Sequence, residues 1–160
     1  MTVYHGGTDV IRLPLVGVGR AGLDFGPGFY VTDIREQAVE WARRVADRRR
    51  LSPMLNAYEL DLPQAKEAFR CLIFESYDKA WLDFIAGSRM ERRPWQGIDM
   101  IEGGVANDRV VDTVEAYIAG LISVEAALAQ LSFYKPSNQF CLLNQDLADR
   151  FLKFKQVIHL

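Results

Sequence analysis

With only two cysteines and two histidines among its 160 residues, the sequence is poor in the residues that mark disulfide-rich and metal-dependent proteins. Cys71 and Cys141 each stand in an apolar run, which predicts buried thiols in a reducing compartment and no disulfide framework. His159 has no cysteine or second histidine near it, so no metal site is predicted. No apolar run approaches the ~20 residues that span a bilayer, and no basic-then-apolar leader opens the chain. We therefore expect a cytoplasmic protein with no membrane partner.

The sequence also lacks an excess of charge of either sign. Its 19 lysines and arginines are balanced by 21 acidic residues, for a net charge of −2. This argues against a protein that coats nucleic acid, but leaves room for a local basic patch. One run of arginines, at residues 43–44 and 48–50, indicates either an acidic or phosphate-bearing partner or a solvated helix end. The interleaved Asp47 and the preference of cations for a helix C-terminus favour the second interpretation.

Length and hydrophobic periodicity predict a single α+β domain over residues 1–160. Strands are expected at residues 2–5, 29–32, 54–62, 69–74, 98–101, 139–143 and 156–160. Helices are expected at residues 34–50, 78–86, 108–119 and 145–153, with a further helix capped by Ser123. Helices and strands are mixed without a regular βαβ alternation, which is typical of the α+β class.

The first predicted helix has the clearest sequence signals. Asp33 followed three residues later by Glu36 predicts a capping box at its N-terminus. Its buried face is expected to consist of Ile34, Ala38, Trp41, Ala42 and Val45.

Two glycine-rich motifs near the N-terminus predict a ligand site. In the first, His5 ends a strand and is followed by Gly6-Gly7-Thr8, so the imidazole would stand beside backbone that a ligand can approach closely. In the second, Gly26-Pro27-Gly28 precedes Phe29-Tyr30, which suits a flat ligand laid against backbone and an aromatic face. Either motif alone favours a structural interpretation, a satisfied histidine for the first and a β-turn for the second. The spacing does not fit a Rossmann loop, and no Walker loop is present.

Together the two motifs resemble those of the ADP-ribosyltransferase superfamily, on the branch that diphtheria-type toxins share with the poly(ADP-ribose) polymerases. That branch has a His-Gly-Thr/Ser strand, then Gly-x-Gly-x-Tyr, and a helix rich in alanine and aromatic residues. Here one extra glycine separates His5-Gly6 from Thr8, and the helix contains Ala38 and Trp41. The resemblance implies two small packed β-sheets with an NAD cleft between them and helices outside.

A second resemblance is closer in its motifs. Asp24-Phe25-Gly26-x-Gly28-Phe29-Tyr30, with residues 98–108 and 136–140, resembles a bacterial family of unknown function assigned to the same fold. The firm part of the resemblance covers residues 3–42.

The resemblance to the superfamily implies a role for each matching residue. His5 would hydrogen-bond a ribose hydroxyl in the adenosine half of NAD, and Gly6 would pair its backbone with the nicotinamide carboxamide. Tyr30 would stack on the nicotinamide ring, and Arg12 or Arg20 would neutralise the pyrophosphate. The implied NAD-binding set is completed by Thr8, Gly28 and Phe29.

A third position, where the superfamily usually carries a glutamate that holds the 2′-OH of the nicotinamide ribose, falls on Gln139. An amide can hold the hydroxyl but supplies neither negative charge nor a proton acceptor, and loss of such a group commonly costs ~10²–10³ in rate. Glu102 is the expected compensating carboxylate, followed by Asp24 and Asp108. A solvated turn for Glu102 and a helix N-cap for Asp108 are the open alternatives.

These roles predict an NAD-dependent ADP-ribosyltransferase that breaks the nicotinamide–ribose bond and passes ADP-ribose to a protein or nucleic acid. NAD would be its substrate, and no metal would take part. Two alternatives stay open: an NAD glycohydrolase, and a catalytically silent NAD-binding module in which Gln139 marks the loss of chemistry. By analogy of fold, the small size and the bacterial resemblance suggest a toxin of a toxin–antitoxin or phage-defence system, with a neighbouring antitoxin as partner.

Overall fold

The computed structural model describes residues 1–19, 22–106 and 108–160 of the chain. Arg20 and the side chain of Asp108, both named above, lie outside the described part. Its strands are β1 (Thr2–Gly7), β2 (Phe29–Val31), β3 (Met54–Leu60), β4 (Cys71–Ile73), β5 (Met100–Gly103), β6 (Gln139–Leu142) and β7 (Leu152–His159). Its helices are α1 (Arg35–Arg49), α2 (Leu62–Ala68), α3 (Lys79–Arg89), α4 (Asp108–Ile118), α5 (Val124–Leu131) and α6 (Gln145–Phe151). None of the described helices is both long and apolar enough to cross a membrane.

The strands form two small sheets. Sheet A has the order β1-β3-β7 and is antiparallel throughout. Sheet B has the order β2-β6-β5-β4, in which β4 and β5 run parallel. A parallel pair needs a crossover connection, and α3 supplies it here. The expected α+β class with two small sheets is therefore confirmed.

The two sheets pack against each other through one face each. Side chains alternate between the faces of a strand, so Val3, Phe29 and Phe140 point into the shared core, whereas Tyr30 and Cys141 point away from it. Helix α1 covers the outer face of sheet A. Helices α3, α4 and α5 cover the outer face of sheet B, and α2 and α6 contribute to the core between the sheets.

The N-terminus of α1 differs from the sequence prediction. Its N-cap residue is Ile34, which makes no side-chain cap hydrogen bond. Asp33 instead accepts a hydrogen bond from Asn138 Nδ2 (3.1 Å), and Thr32 Oγ1 accepts one from Ile34 N (3.0 Å). The predicted capping box is therefore wrong, because a tertiary contact to the start of β6 takes the aspartate.

The buried face of α1 also differs from the prediction. The buried residues are Ala38, Ala42 and Ala46, whereas Trp41 is 51% exposed. The helix lies so close to β1 that a Cβ placed on Gly6 would stand 2.1 Å from the Ala38 carbonyl oxygen. Only small side chains fit at that approach, so the tryptophan is excluded from the interface.

One helix was missed by the sequence analysis. Residues 54–62 were expected to form a single strand, but β3 ends at Leu60 and α2 follows at once. Asp61 accepts a hydrogen bond from Gln64 N (3.3 Å), and Pro63 stands in the first turn, which are ordinary helix-start signals. The predicted cap at Ser123 is confirmed, since its hydroxyl accepts from Ala126 N (3.1 Å).

Candidate functional site

The edge of β1 becomes open where β1 and β2 separate. Tyr4 and Thr32 exchange two backbone hydrogen bonds, of 2.8 and 2.9 Å, and they form the one bridge between these strands in the described part of the chain. Because alternate residues of a strand direct N–H and C=O to the same side, Gly6 directs both groups away from β3, as Tyr4 does. Gly6 therefore presents one donor and one acceptor along the edge that faces β2.

His5 fills the gap between the separating strands. Its Nδ1 lies 2.8 Å from the carbonyl oxygen of Tyr30, and its ring stacks on Phe29 with centroids 4.6 Å apart. A carbonyl oxygen can only accept, so Nδ1 carries the proton and Nε2 of the neutral ring is an acceptor. Burial lowers the pKa of His5 from its usual 6.5, and the hydrogen bond to Tyr30 opposes this only in part. The ring is therefore neutral near pH 7.

A cleft of about 520 Å³ opens beside this edge, between the end of β1 and helix α1. Residues 5–9 form one wall, and Trp41, Val45, Arg48 and Arg49 line the other. Its volume falls within the ~300–1,000 Å³ typical of small-molecule sites. The exposed indole of Trp41 and the backbone of Gly6 thus border the same space.

One end of the cleft is basic. Arg49 Nη1 lies 3.2 Å from Thr8 Oγ1 and 3.5 Å from Asp9 Oδ2. The guanidinium of Arg48 lies over the Trp41 ring, 5.7 Å from its centroid. Among the described residues that line the cleft, Asp9 is the only carboxylate. This end can receive an anion, with the arginines as donors.

Arg12, the arginine expected to neutralise a pyrophosphate, is directed away from the cleft. Its guanidinium carbon lies 4.9 Å from the centroid of Phe154 on β7, and it is not among the residues that line the cleft. Arg20 lies outside the described residues. The arginines that border the cleft are instead Arg48 and Arg49, which the sequence analysis interpreted as a solvated helix end.

Tyr30 holds the glycine-rich turn that precedes β2. Its hydroxyl donates to the Gly26 carbonyl oxygen (2.6 Å) and accepts from Phe25 N (3.1 Å). Gly26 has a φ of 96°, and a Cβ there would stand 2.6 Å from the Trp95 ring, so this position requires glycine. Tyr30 packs against the core under α3, α4 and α5 and does not line the cleft. Its stacking on nicotinamide stays a prediction.

Other residues of the same motif are packed as well. A Cβ on Gly28 would stand 2.4 Å from the Cys141 sulfur, and Phe29 is 7% exposed in the core between the sheets. Asp24 accepts hydrogen bonds from Arg89 Nε (3.0 Å) and from Ala106 N (3.3 Å). Packing therefore accounts for glycine, phenylalanine and aspartate here, and the predicted NAD contacts of Gly28 and Phe29 stay predictions.

Gln139 and Glu102 stand on opposite faces of sheet B. In the register of β5 and β6, Gly103 faces Gln139 and Glu102 faces Phe140. Phe140 points into the core between the sheets, so Glu102 shares that face, whereas Gln139 shares the outer face. Glu102 pairs with Lys66 of α2 at 3.4 Å. The structure therefore does not bring the two residues together, and neither lines the cleft.

Two buried amide atoms near the start of β6 have no hydrogen-bond partner among the described residues: Gln139 Nε2 and Gln37 Oε1. The surrounding groups are fixed by the Asn138 carbonyl oxygen, which accepts from Thr32 Oγ1 (2.7 Å) and from Gln37 Nε2 (3.0 Å). One unpartnered atom is a donor and the other an acceptor. Each can be satisfied by a water or a hydroxyl group.

Trp41 and Asp9 were missed as site residues, although the sequence carries a signal for each. Arg48 follows seven residues after Trp41 in α1, so the two share one face of the helix, and both line the cleft. Asp9 directly follows the first glycine motif.

Comparisons with known proteins give one match. The model of a family described as protein of unknown function (DUF3990) matches residues 1–154. No curated protein and no solved structure matches the chain.

Proposed function

We propose that this chain, which belongs to the family of proteins of unknown function DUF3990, is an NAD-dependent ADP-ribosyltransferase. The observation that carries the proposal is one cleft that holds the open backbone edge of Gly6, the exposed ring of Trp41 and the neutral imidazole of His5. The resemblance in the first 42 residues supports the same reaction.

The nicotinamide end of NAD suits the Gly6 edge. A primary carboxamide has one N–H side and one carbonyl oxygen, and Gly6 offers the complementary acceptor and donor. A ring held by this pair can lie against an aromatic face, and Trp41 supplies the face that borders the cleft. We therefore assign nicotinamide stacking to Trp41 in place of Tyr30, which holds the glycine-rich turn before β2 and does not line the cleft.

The rest of NAD finds matching groups in the same cleft. His5 Nε2, an acceptor, suits a ribose hydroxyl. Arg48 and Arg49 suit the pyrophosphate, because guanidinium groups bind phosphate oxygens with paired hydrogen bonds. The resemblance assigns the 2′-OH of the nicotinamide ribose to Gln139, which lies outside the cleft lining.

The proposed reaction breaks the bond between the nicotinamide nitrogen and C1′ of the ribose. Nicotinamide leaves as a neutral molecule with the bonding electrons, and positive charge develops on the ribose. The acceptor attacks C1′ and loses a proton, for which Asp9 is the carboxylate at hand. The chain contributes by holding the leaving ring and the ribose in fixed relation, which lowers the barrier by removing orientational freedom.

The test is calorimetric binding of NAD and of ADP-ribose, which lacks nicotinamide, to the wild type and Trp41→Ala. Loss of stacking should weaken NAD binding by about 2- to 10-fold, since such contacts contribute ~0.5–1.5 kcal/mol. ADP-ribose should keep most of its affinity. Phe133→Ala is the matched control, because Phe133 is an 87% exposed aromatic outside the cleft lining.

Two results would overturn the assignment. Wild-type protein that binds neither NAD nor ADP-ribose would remove the proposed function. Trp41→Ala that weakens NAD and ADP-ribose equally would remove nicotinamide from the Trp41 face.

A further inference from the structure

Positive charge is concentrated on the last turns of α1. Residues 41–50 contain five arginines and one aspartate, a charge of +4, while the whole chain has a net charge of −2. The remaining residues together therefore carry −6. All five arginines are exposed on the surface.

Some of these arginines share a helix face with residues that line the cleft. Trp41, Arg44 and Arg48 share one row: Arg48 Nε lies 3.4 Å from the Arg44 carbonyl oxygen, and its guanidinium lies over the Trp41 ring. Arg43 and Arg50, seven residues apart, lie outside the cleft lining. We call Arg43, Arg44 and Arg50, which lie outside the cleft lining, the arginine face.

Helix stability explains only part of the arginine face. Glu40 and Asp47 lie three or four residues from Arg43 and Arg44 and offset part of their charge. The arginines at the helix end complement its dipole, but five arginines against these two carboxylates leave a net charge of +3. This excess beside a ligand cleft suits a polyanionic partner.

We propose that the arginine face docks the phosphate backbone of a nucleic-acid strand and presents one of its nucleotides to the cleft as the acceptor. The transfer step of this proposal rests on the proposed function, whereas the docking of the strand does not. The face uses arginine without lysine, and the planar guanidinium matches phosphate oxygens in pairs. Arg43 and Arg50 are ~10 Å apart along the helix axis, far enough to reach separate phosphates of one strand.

The arrangement favours a nucleic acid over an acidic protein segment. A phosphate backbone supplies regularly repeated charge to which a row of guanidinium groups can bind whatever the sequence. Residues outside the segment are net acidic, which favours the approach of a negatively charged strand to the arginine face.

The experiment is fluorescence anisotropy of labelled single-stranded DNA and RNA of about 20 nucleotides, at about 50 and 200 mM salt. The test variant is Arg43→Gln with Arg50→Asn, since Arg50 has a φ of 55° and asparagine tolerates that backbone. The matched control is Arg92→Gln with Arg109→Gln. Both arginines are exposed; Arg92 follows the end of α3 and Arg109 lies in the first turn of α4. NAD binding is measured on the same proteins.

We expect the wild type and the control to bind a strand with a steep salt dependence. Loss of two phosphate contacts should reduce the slope of log K against log salt by about 1.4, at ~0.7 per contact for a single strand. NAD affinity should be unchanged. A wild type that binds NAD but no strand at low salt, or a test variant that binds as the wild type does, would overturn the docking proposal alone. If poly-glutamate at equal charge displaces the strand completely, the choice of nucleic acid as partner is overturned. If the wild type binds the strand but does not bind NAD, only the enzyme assignment is overturned.

Discussion

The Nδ1 atom of His5 lies 2.8 Å from the carbonyl oxygen of Tyr30, at the point where β1 and β2 separate. This hydrogen bond joins the two glycine motifs of the sequence across the start of the cleft. It also fixes the ring so that Nε2 is the remaining acceptor. The histidine thus makes a structural hydrogen bond through Nδ1 and keeps a lone pair on Nε2 that can accept a hydrogen bond from a ligand.

Folding stability should fall between pH 7.5 and pH 5 because of His5. Its folded pKa lies below 6.5, so below pH 6.5 the unfolded chain binds a proton that the folded chain does not, and stability is lost as pH falls to the folded pKa. The loss is at most ~2 kcal/mol over this window, at ~1.36 kcal/mol per pH unit. Urea unfolding at both values, for the wild type and His5→Gln, measures it.

The glutamine variant keeps an N–H donor but cannot titrate, so its stability should change less with pH than that of the wild type. An equal pH dependence of the two proteins would show that His5 is not buried as described. A fall in stability of His5→Gln at pH 7.5 alone would report its packing on Phe29.

Adjacent glycines in β1 should differ sharply in their tolerance of alanine. A Cβ on Gly6 would stand 2.1 Å from the Ala38 carbonyl oxygen, so α1 would have to move, and overpacking of this kind costs ~1–3 kcal/mol or more. A Cβ on Gly7 meets nothing closer than 3.7 Å, the His5 Nε2 atom. Thermal melts should therefore show a large loss for Gly6→Ala and a small one for Gly7→Ala.

The two variants also separate packing from ligand binding. Because a Cβ on Gly7 would stand beside His5 Nε2, Gly7→Ala should weaken NAD binding with little loss of stability. Equal melting temperatures for Gly6→Ala and the wild type would contradict the close approach of α1 to β1.

Much of the fold could be predicted from local pattern. The strand at His5, the strand at Tyr30 and the cap at Ser123 depend on nearby residues, and the structure has all three. What failed depends on distant contacts. Trp41 has the right helical spacing to be buried, but the approach of Gly6 to Ala38 leaves it no room.

The site shows the same division. His5 and Gly6 were predicted site residues, and the structure places both on the cleft. From the sequence alone, the arginines of α1 are predicted to be a solvent-exposed helix end. Their spacing cannot show that Arg49 contacts Thr8 in the loop after β1. The separation of Glu102 from Gln139 follows only from the register of β5 against β6, which no single segment contains.

Gln139→Glu and Glu102→Gln should have different effects on nicotinamide release. The resemblance to the superfamily assigns the ribose 2′-OH to Gln139, so glutamate there should raise NAD hydrolysis, by up to ~10²-fold where charge stabilisation is limiting. Glu102 stands on the other face beside Lys66, so its substitution should leave the rate unchanged. Chromatography of released nicotinamide checks both.

Asp9→Asn tests the proposed proton acceptor, because Asp9 is the carboxylate that lines the cleft. Transfer should fall in this variant even though its contact with Arg49 is exposed and contributes little stability. Loss of activity in Glu102→Gln, with Asp9→Asn and Gln139→Glu at the wild-type rate, would place the reaction elsewhere in the chain.

The most direct test of the central claim uses NAD labelled separately in nicotinamide and in the adenylate phosphate, incubated with the protein and a cell lysate. Samples are then treated with protease or with nuclease. We expect release of free nicotinamide together with adenylate label on a macromolecule. The label should fall by about 2- to 10-fold in Trp41→Ala at limiting NAD, and nuclease should remove it. Intact NAD after incubation, with no label on any macromolecule, would contradict the central claim.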